Sequence, residues 1–250
     1  MAQPKQTQPA AADPENVHFT HTEGTLFDAD GAVSAGQARK FAPKIRAIRK
    51  LLGPRPDAGF LDVGVGYGVF LHMLEKHGYR RIAGMDPFPK SLEIARQHTS
   101  ADLKLGRIED ERWPFRPGEF DVISSFDVVE HLHEPAVFLR RCREYLAPDG
   151  LVVLSTPNRS VFYEMRRIPL IGYPDRNPTH INVHRPRYWL RLAREEGYEV
   201  VAKWYGEVMA HIRYLPQFVE VVSNYLDVDL EKAWFLRGLQ QSLCLVLRRA

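Results

Sequence analysis

At 250 residues, with 44% hydrophobic and 26% charged content, the chain has the make-up of a soluble globular protein and the length for one well-packed α/β domain. No apolar run approaches the roughly 20 residues that span a bilayer, and no apolar signal core lies near the start, so a membrane span is not expected and a cytoplasmic location is. A formal charge of +3, scattered over Lys, Arg, Asp and Glu, makes nucleic acid an unlikely partner; Cys142 and Cys244 sit among apolar residues with no CxxC or Cys/His ladder, as buried structural thiols do.

Residues 1–16 are rich in Gln, Ala and Pro without periodicity and read as a disordered leader to a single domain over 17–250. From Gly36 to Leu52, Ala38, Phe41, Ile45, Ile48, Leu51 and Leu52 recur at three- and four-residue spacing among basic residues, which predicts an amphipathic helix. Phe60, Leu61 and Val63 form a buried strand that carries Asp62 and stops at Gly64. The glycines at Gly64, Gly66 and Gly68 then give a tight turn whose backbone can approach a ligand. Val69, Phe70, Met73 and Leu74 open a helix behind it, so free N–H groups and the positive dipole end face an anionic or strongly accepting ligand.

Arg81 to Asp86 is a short strand ending in a carboxylate about 20 residues past the glycine loop, where a strand-end acid meets ribose hydroxyls. Pro87 and Pro89 lead into a second helix, and Asp102 to Leu105 is a third strand. Asp121 to Phe126 is a buried strand with Asp127-Val128-Val129-Glu130-His131-Leu132 at its C-terminal end, where α/β sheets place ligand chemistry. A helix from Pro135, closed by Ala147-Pro148-Asp149-Gly150, leads to the unbroken apolar strand Leu151 to Thr156. An insertion over about 159–185 follows, long enough to be functional; then come a helix from Pro186, a strand from Tyr198 to Trp204, a second insertion over about 206–240 with helical periodicity, and a last strand, Leu243 to Leu247.

Glycine spacing separates two cofactor classes. The dinucleotide fingerprint has its third glycine three residues after the second, where this chain has Val69. Asp62-x-Gly64-x-Gly66-x-Gly68 instead resembles the first motif of the class I S-adenosylmethionine-dependent methyltransferases. FDVISSFDVVEHL, the helix after it, LAPDG and VVLSTPN resemble, in order, the middle of that class, nearest to the ubiquinone-pathway O-methyltransferases, and the likeness runs from about Phe60 to Val201.

The resemblance implies an α/β fold: a Rossmann-like, seven-stranded, mostly parallel sheet with helices on both faces, the last strand antiparallel between the fifth and sixth, and the first helix against the sheet edge. It implies S-adenosyl-L-methionine as cofactor, with Asp62 and Gly64 near the methionine end, Asp86 on the ribose, Ile108 on the adenine face, Glu109 or Asp110 on its amino group, and Gly66, Gly68, Pro87 and Phe126 as further cofactor-binding residues. The expected partner is a small-molecule acceptor, with oxygen favoured as the nucleophile, walled by Tyr163, Tyr173, His180 and His184. His131 is the candidate base, or else a residue that only orients its loop or the cofactor.

Asp127, Glu130 and His131, with His184 or His180, also resemble the divalent-cation sites of those O-methyltransferases and of small-RNA 2′-O-methyltransferases, with Mg²⁺ or Mn²⁺ as ion, although the first position there is Glu. A metal-dependent RNA 2′-O-methyltransferase is therefore the alternative function. A nicotinamide-dependent oxidoreductase, for which no hydride-acceptor site is found, and a non-catalytic binding module complete the alternatives.

Overall fold

The computed structural model describes residues 26–159, 177–206 and 242–250. The leader, residues 160–176 with Tyr163 and Tyr173, and residues 207–241 of the second insertion lie outside the described residues.

The chain forms α1 (Ala35–Leu52), β1 (Gly59–Val63), α2 (Val69–Lys76), β2 (Arg81–Asp86), α3 (Pro89–His98), β3 (Asp102–Leu105), β4 (Phe120–Phe126), a 3₁₀ turn (Val129–His131), α4 (Pro135–Tyr145), β5 (Leu146–Pro157), α5 (Pro186–Glu195), β6 (Tyr198–Gly206) and β7 (Ser242–Arg249). The seven strands order as β3-β2-β1-β4-β5-β7-β6. The first five run parallel, and β7 is antiparallel to both of its neighbours. This is the expected fold.

Because strand side chains alternate, each strand feeds two cores. Leu61, Val63, Ile123, Val152 and Leu245 pack with Phe138, Leu139 and Cys142 of α4 and with Trp189 and Ala193 of α5. Phe60, Val122, Leu151, Val153 and Val246 face the other way, onto Phe41, Ile45 and Ile48 of α1, Leu71 and Leu74 of α2 and Leu92 of α3. Helix α1 therefore covers a sheet face in contact with β5 and α2, rather than lying against the sheet edge. Its apolar stripe is too wide to leave wet, and the face over β5 and β7 is the one α2 and α3 leave open.

Register is pinned at the end of the sheet away from the glycine loop. Asp121 on β4 accepts from the Arg55 guanidinium at 2.5 Å and from the Gly59 N–H at 2.7 Å, which ties the start of β1 to β4. The Ala147–Gly150 stretch, expected to be a turn closing α4, is drawn into β5: Phe120 pairs with Leu146, but Val122 pairs with Leu151 across an irregularity. Gly150 permits this, since a Cβ there would lie 2.7 Å from the Leu146 side chain and 3.0 Å from the Asp121 carbonyl.

Candidate active site

The C-terminal ends of β1, β2 and β4 open onto one cavity of about 360 Å³. Of the expected cofactor residues, Asp62, Gly64, Gly66, Asp86, Pro87, Ile108, Glu109 and Phe126 line it, and so does His131.

The glycines divide the work. Gly64 has φ +84°, and a Cβ on it would stand 2.4 Å from Val128 Cγ2. Gly66 has nothing within 4 Å of an added Cβ, so its bare side faces room rather than protein. Gly68, expected to bind cofactor, is not in the cavity wall: at φ +83° it precedes α2, and its missing side chain lets Ala95 of α3 approach, a Cβ there lying 3.1 Å from that of Ala95.

Two buried carboxyls face the glycines. Asp86 Oδ2 accepts from the Gly66 N–H at 2.9 Å and Oδ1 from the Phe88 N–H at 3.0 Å. Burial pushes its pKa up to about 6, the two N–H bonds offsetting part of the rise. Asp62 Oδ1 accepts from the Ser124 hydroxyl at 2.6 Å. Burial carries its pKa to about 7, lowered by the Ser124 bond and raised again by Asp86. Both groups are poised to ionise when donors arrive.

On the next wall, Ile108 is fixed by its carbonyl, which accepts from Trp113 Nε1 at 3.2 Å, while Trp113 exchanges backbone bonds with the Tyr145 hydroxyl at 2.7 and 3.1 Å. Asp110, the alternative acid for an adenine amino group, turns back to accept from the Arg107 N–H at 2.7 Å and does not line the cavity, whereas Glu109 does. Phe126 stands edge-on to Phe70 and Phe41 with centroids 4.8 and 5.4 Å away.

The roof was not foreseen. Leu26, and Gln37, Lys40 and Phe41 of α1, close the cavity over the glycine loop. Lys40 Nζ donates to Asp127 Oδ2 at 2.7 Å, and Asp127 Oδ1 accepts from the Ser155 hydroxyl at 3.0 Å. Asp127 takes φ +56°, tolerable for Asp, which brings its carboxylate under α1. Burial acts to raise its pKa, but Lys40 and then Lys44 outweigh it and hold the carboxyl well below its ordinary value.

The expected cation ligands are accordingly regrouped. Ligand atoms of Glu130, His131 and His180 lie within 4.8 Å of one another. Asp127 is committed to Lys40 and Ser155, and His184 is turned away, its Nε2 3.1 Å from Asn182 Oδ1 and its ring stacked on Tyr188 at 3.8 Å. The Glu130 side chain is fully buried, and neither carboxylate oxygen makes a hydrogen bond of standard geometry, although the Thr156 hydroxyl is close enough to favour its charged form. Burial, then the Asp127 charge, raises its pKa well above the ordinary value.

His131 is oriented by the segment after 176. Its Nδ1 lies 2.8 Å from Thr179 Oγ1 and 3.1 Å from the Thr179 carbonyl. The Thr179 hydroxyl donates to Asn177 Oδ1 at 2.6 Å, so both Thr179 oxygens are acceptors toward the ring. Nδ1 therefore carries the hydrogen and Nε2 the lone pair. The Ile181 and Asn182 N–H groups donate to the Glu130 carbonyl at 3.1 and 2.9 Å, and Asn182 Nδ2 donates to the Leu132 carbonyl, so this segment clamps the turn after β4.

Comparison with known proteins gives this arrangement a family. Residues 36–203 match the methyltransferase domain family. The ubiquinone biosynthesis O-methyltransferase of Methylocella silvestris is 30% identical over 184 residues, 64% of this chain and 70% of that protein. The protein of the same name from Bradyrhizobium diazoefficiens is 32% identical over 136 residues, 52% of this chain, and there the match spans only half of the relative's length. The crystal structure of an S-adenosylmethionine-dependent methyltransferase from Mesorhizobium loti shares the fold, with a TM-score of 0.59 at 18% identity, covering 84% of this chain and 99% of that one. The strand order, the glycine loop and the family match agree, and the chain belongs to the class I S-adenosylmethionine-dependent methyltransferases.

Proposed function

We propose that the protein methylates an oxygen atom of a small-molecule acceptor, with the reacting hydroxyl presented at the His131 end of the cavity. The observation that carries this reading is His131 itself: hydrogen on Nδ1, lone pair on Nε2, beside buried Glu130 at the C-terminal end of β4. That the relatives are O-methyltransferases supports oxygen.

S-adenosylmethionine supplies an electrophilic methyl group, so the protein's share is alignment and proton removal. Room above Gly66 and two buried carboxyls facing it suit a nucleoside bearing an amino acid: Asp86 accepts ribose hydroxyls, Asp62 lies toward the amino group, and Ile108 and Glu109 meet the base. Phe126, Phe41 and Leu26 give the cavity an apolar wall. Without a cation, His131 would take the acceptor proton at Nε2; with one bound there, the ion would activate the hydroxyl instead.

A divalent cation, Mg²⁺ or Mn²⁺, also fits the donor set. Two orphaned buried oxygens of Glu130 beside two imidazoles are what such an ion would satisfy, and it would lower the pKa of a hydroxyl bound to it. The ligands would be Glu130, His131 and His180, without Asp127 or His184.

Two measurements test the proposal. Incubation with methyl-labelled S-adenosylmethionine and cell extract should yield a small labelled product with the methyl on oxygen; label on RNA, or on nitrogen or carbon, overturns the acceptor reading. Exhaustive EDTA treatment should abolish turnover, and Mn²⁺ should restore it; activity that survives removes the cation and leaves His131 as the base.

A further inference from the structure

Asn177 and Thr179 belong to the segment that reaches His131, and their hydrogen bonds fix more than its position. The Thr179 N–H and the Thr179 hydroxyl both meet the same Asn177 side-chain atom, at 3.0 and 2.6 Å. A backbone N–H only donates, so that atom is the amide oxygen. It carries no hydrogen, and the hydroxyl must therefore donate to it as well. With its single hydrogen committed there, Thr179 Oγ1 turns a lone pair toward His131 Nδ1 at 2.8 Å.

The opposite arrangement would disable the ring. A hydroxyl rotates to suit its partners, and one released from Asn177 can donate to Nδ1 across the same 2.8 Å. Nδ1 would then hold the lone pair and Nε2 the hydrogen, so that Nε2 could neither accept a proton nor bind a cation. The Thr179 carbonyl also faces Nδ1 and favours the native tautomer, but at 3.1 Å it is the longer of the two contacts.

We propose that Asn177 is a positioning residue for methyl transfer: by holding the hydrogen of the Thr179 hydroxyl, it keeps His131 in the tautomer whose lone pair is on Nε2. This inference rests on the reading above, in which that lone pair meets the acceptor hydroxyl or a cation. The effect passes through one hydroxyl and is separable from the fold, because backbone bonds hold the segment without the amide. The His180 N–H donates to the Asn177 carbonyl at 3.2 Å, and the Ile181 and Asn182 N–H groups donate to the Glu130 carbonyl at 3.1 and 2.9 Å.

The test is nitrogen-15 NMR of the full chain labelled at histidine, without metal or cofactor, at about pH 8.5, above the ordinary imidazole range. The His131 signals are those lost in His131→Gln. Wild type should show hydrogen on Nδ1 and none on Nε2. Asn177→Ala should move His131 toward the opposite tautomer, whereas Asn177→Asp, which keeps an accepting oxygen, should not. The double variant Asn177→Ala/Thr179→Val should return to the wild-type tautomer, because only the carbonyl acceptor of residue 179 then remains beside Nδ1. A merely structural role of Asn177 gives no such rescue. Transfer of label from methyl-labelled S-adenosylmethionine to product in cell extract should fall about tenfold in Asn177→Ala and stay near wild type in Asn177→Asp, with S-adenosylhomocysteine affinity equal in all three proteins. Hydrogen on Nε2 in wild type, an unchanged tautomer in Asn177→Ala, or no rescue in the double variant overturns the inference, as does a shifted tautomer with undiminished transfer. Label on nitrogen or carbon, with the tautomers as expected, strikes the O-methylation reading alone, since the tautomer is read without turnover.

Discussion

Gly64 and Gly66, two residues apart, fail in different ways when given a methyl group. Gly64→Ala combines a left-handed φ with a contact at 2.4 Å to Val128, and should lower stability by about 2–5 kcal/mol in urea unfolding. Gly66→Ala meets open space and should cost only about 1–2 kcal/mol, yet abolish S-adenosylhomocysteine binding by calorimetry, because the methyl stands in the ligand's room. The opposite ranking would show that the cofactor lies elsewhere. Asp62 and Asp86 predict a pH dependence. With folded pKa values of about 7 and about 6, both are protonated in acid, whereas hydroxyl and ammonium donors need the ionised forms. Affinity for S-adenosylhomocysteine should therefore rise as pH is raised from about 5 to about 8, with proton release on binding in buffers of different ionisation enthalpy. In the free protein the sign for stability is opposite: carboxyls whose pKa is raised by folding help most below about pH 4, and that help is lost as pH rises through 6 and 7.

At the level of elements, α1 is both a core helix and the roof of the site, and Lys40 joins the two roles. Lys40→Met should cost about 1–3 kcal/mol, between the values for exposed and buried pairs, since both partners are about one-third exposed. Because the Asp127 pKa is depressed in the folded protein, the stability it brings is present above about pH 4 and lost as pH falls below it. Wild type and variant should therefore converge in acid when urea midpoints are compared. None of this could be read from the chain. A strand, a glycine turn and a strand-end acid are local patterns, so β1, β2, β4 and the places of Asp62, Gly64 and Asp86 were legible. Lys40 is one basic residue among several on an amphipathic helix, and only tertiary packing brings it to Asp127. Ser124 and Ser125 left a fainter trace as a polar pair inside an apolar strand; they donate to Asp62 and to the Val63 carbonyl. Asp127 read as a cation ligand because it stands in the motif, and it is removed from that set by a partner on another element.

For the molecule as a whole, ligand and fold are coupled through the cavity, whose walls come from α1, the glycine loop, the loop after β3 and the turn after β4. S-adenosylhomocysteine at about 100 times its dissociation constant should add about 2.7 kcal/mol and raise the melting temperature by about 5–10 °C, while NADH should leave it unchanged. The outer half of the sheet has a different dependence. Among the described residues β6 pairs only with β7, and β7 is the partner of β5 on its other side. On the ribosome β7 is made after the other six strands, so β5 waits with an open edge and β6 with no neighbour while more than 35 further residues are translated. The cofactor half, β1 to β4, can assemble during synthesis, but the sheet closes only afterwards, and the growing chain spends that interval with a buried-type strand, Leu151 to Thr156, exposed to chaperones or to other nascent chains.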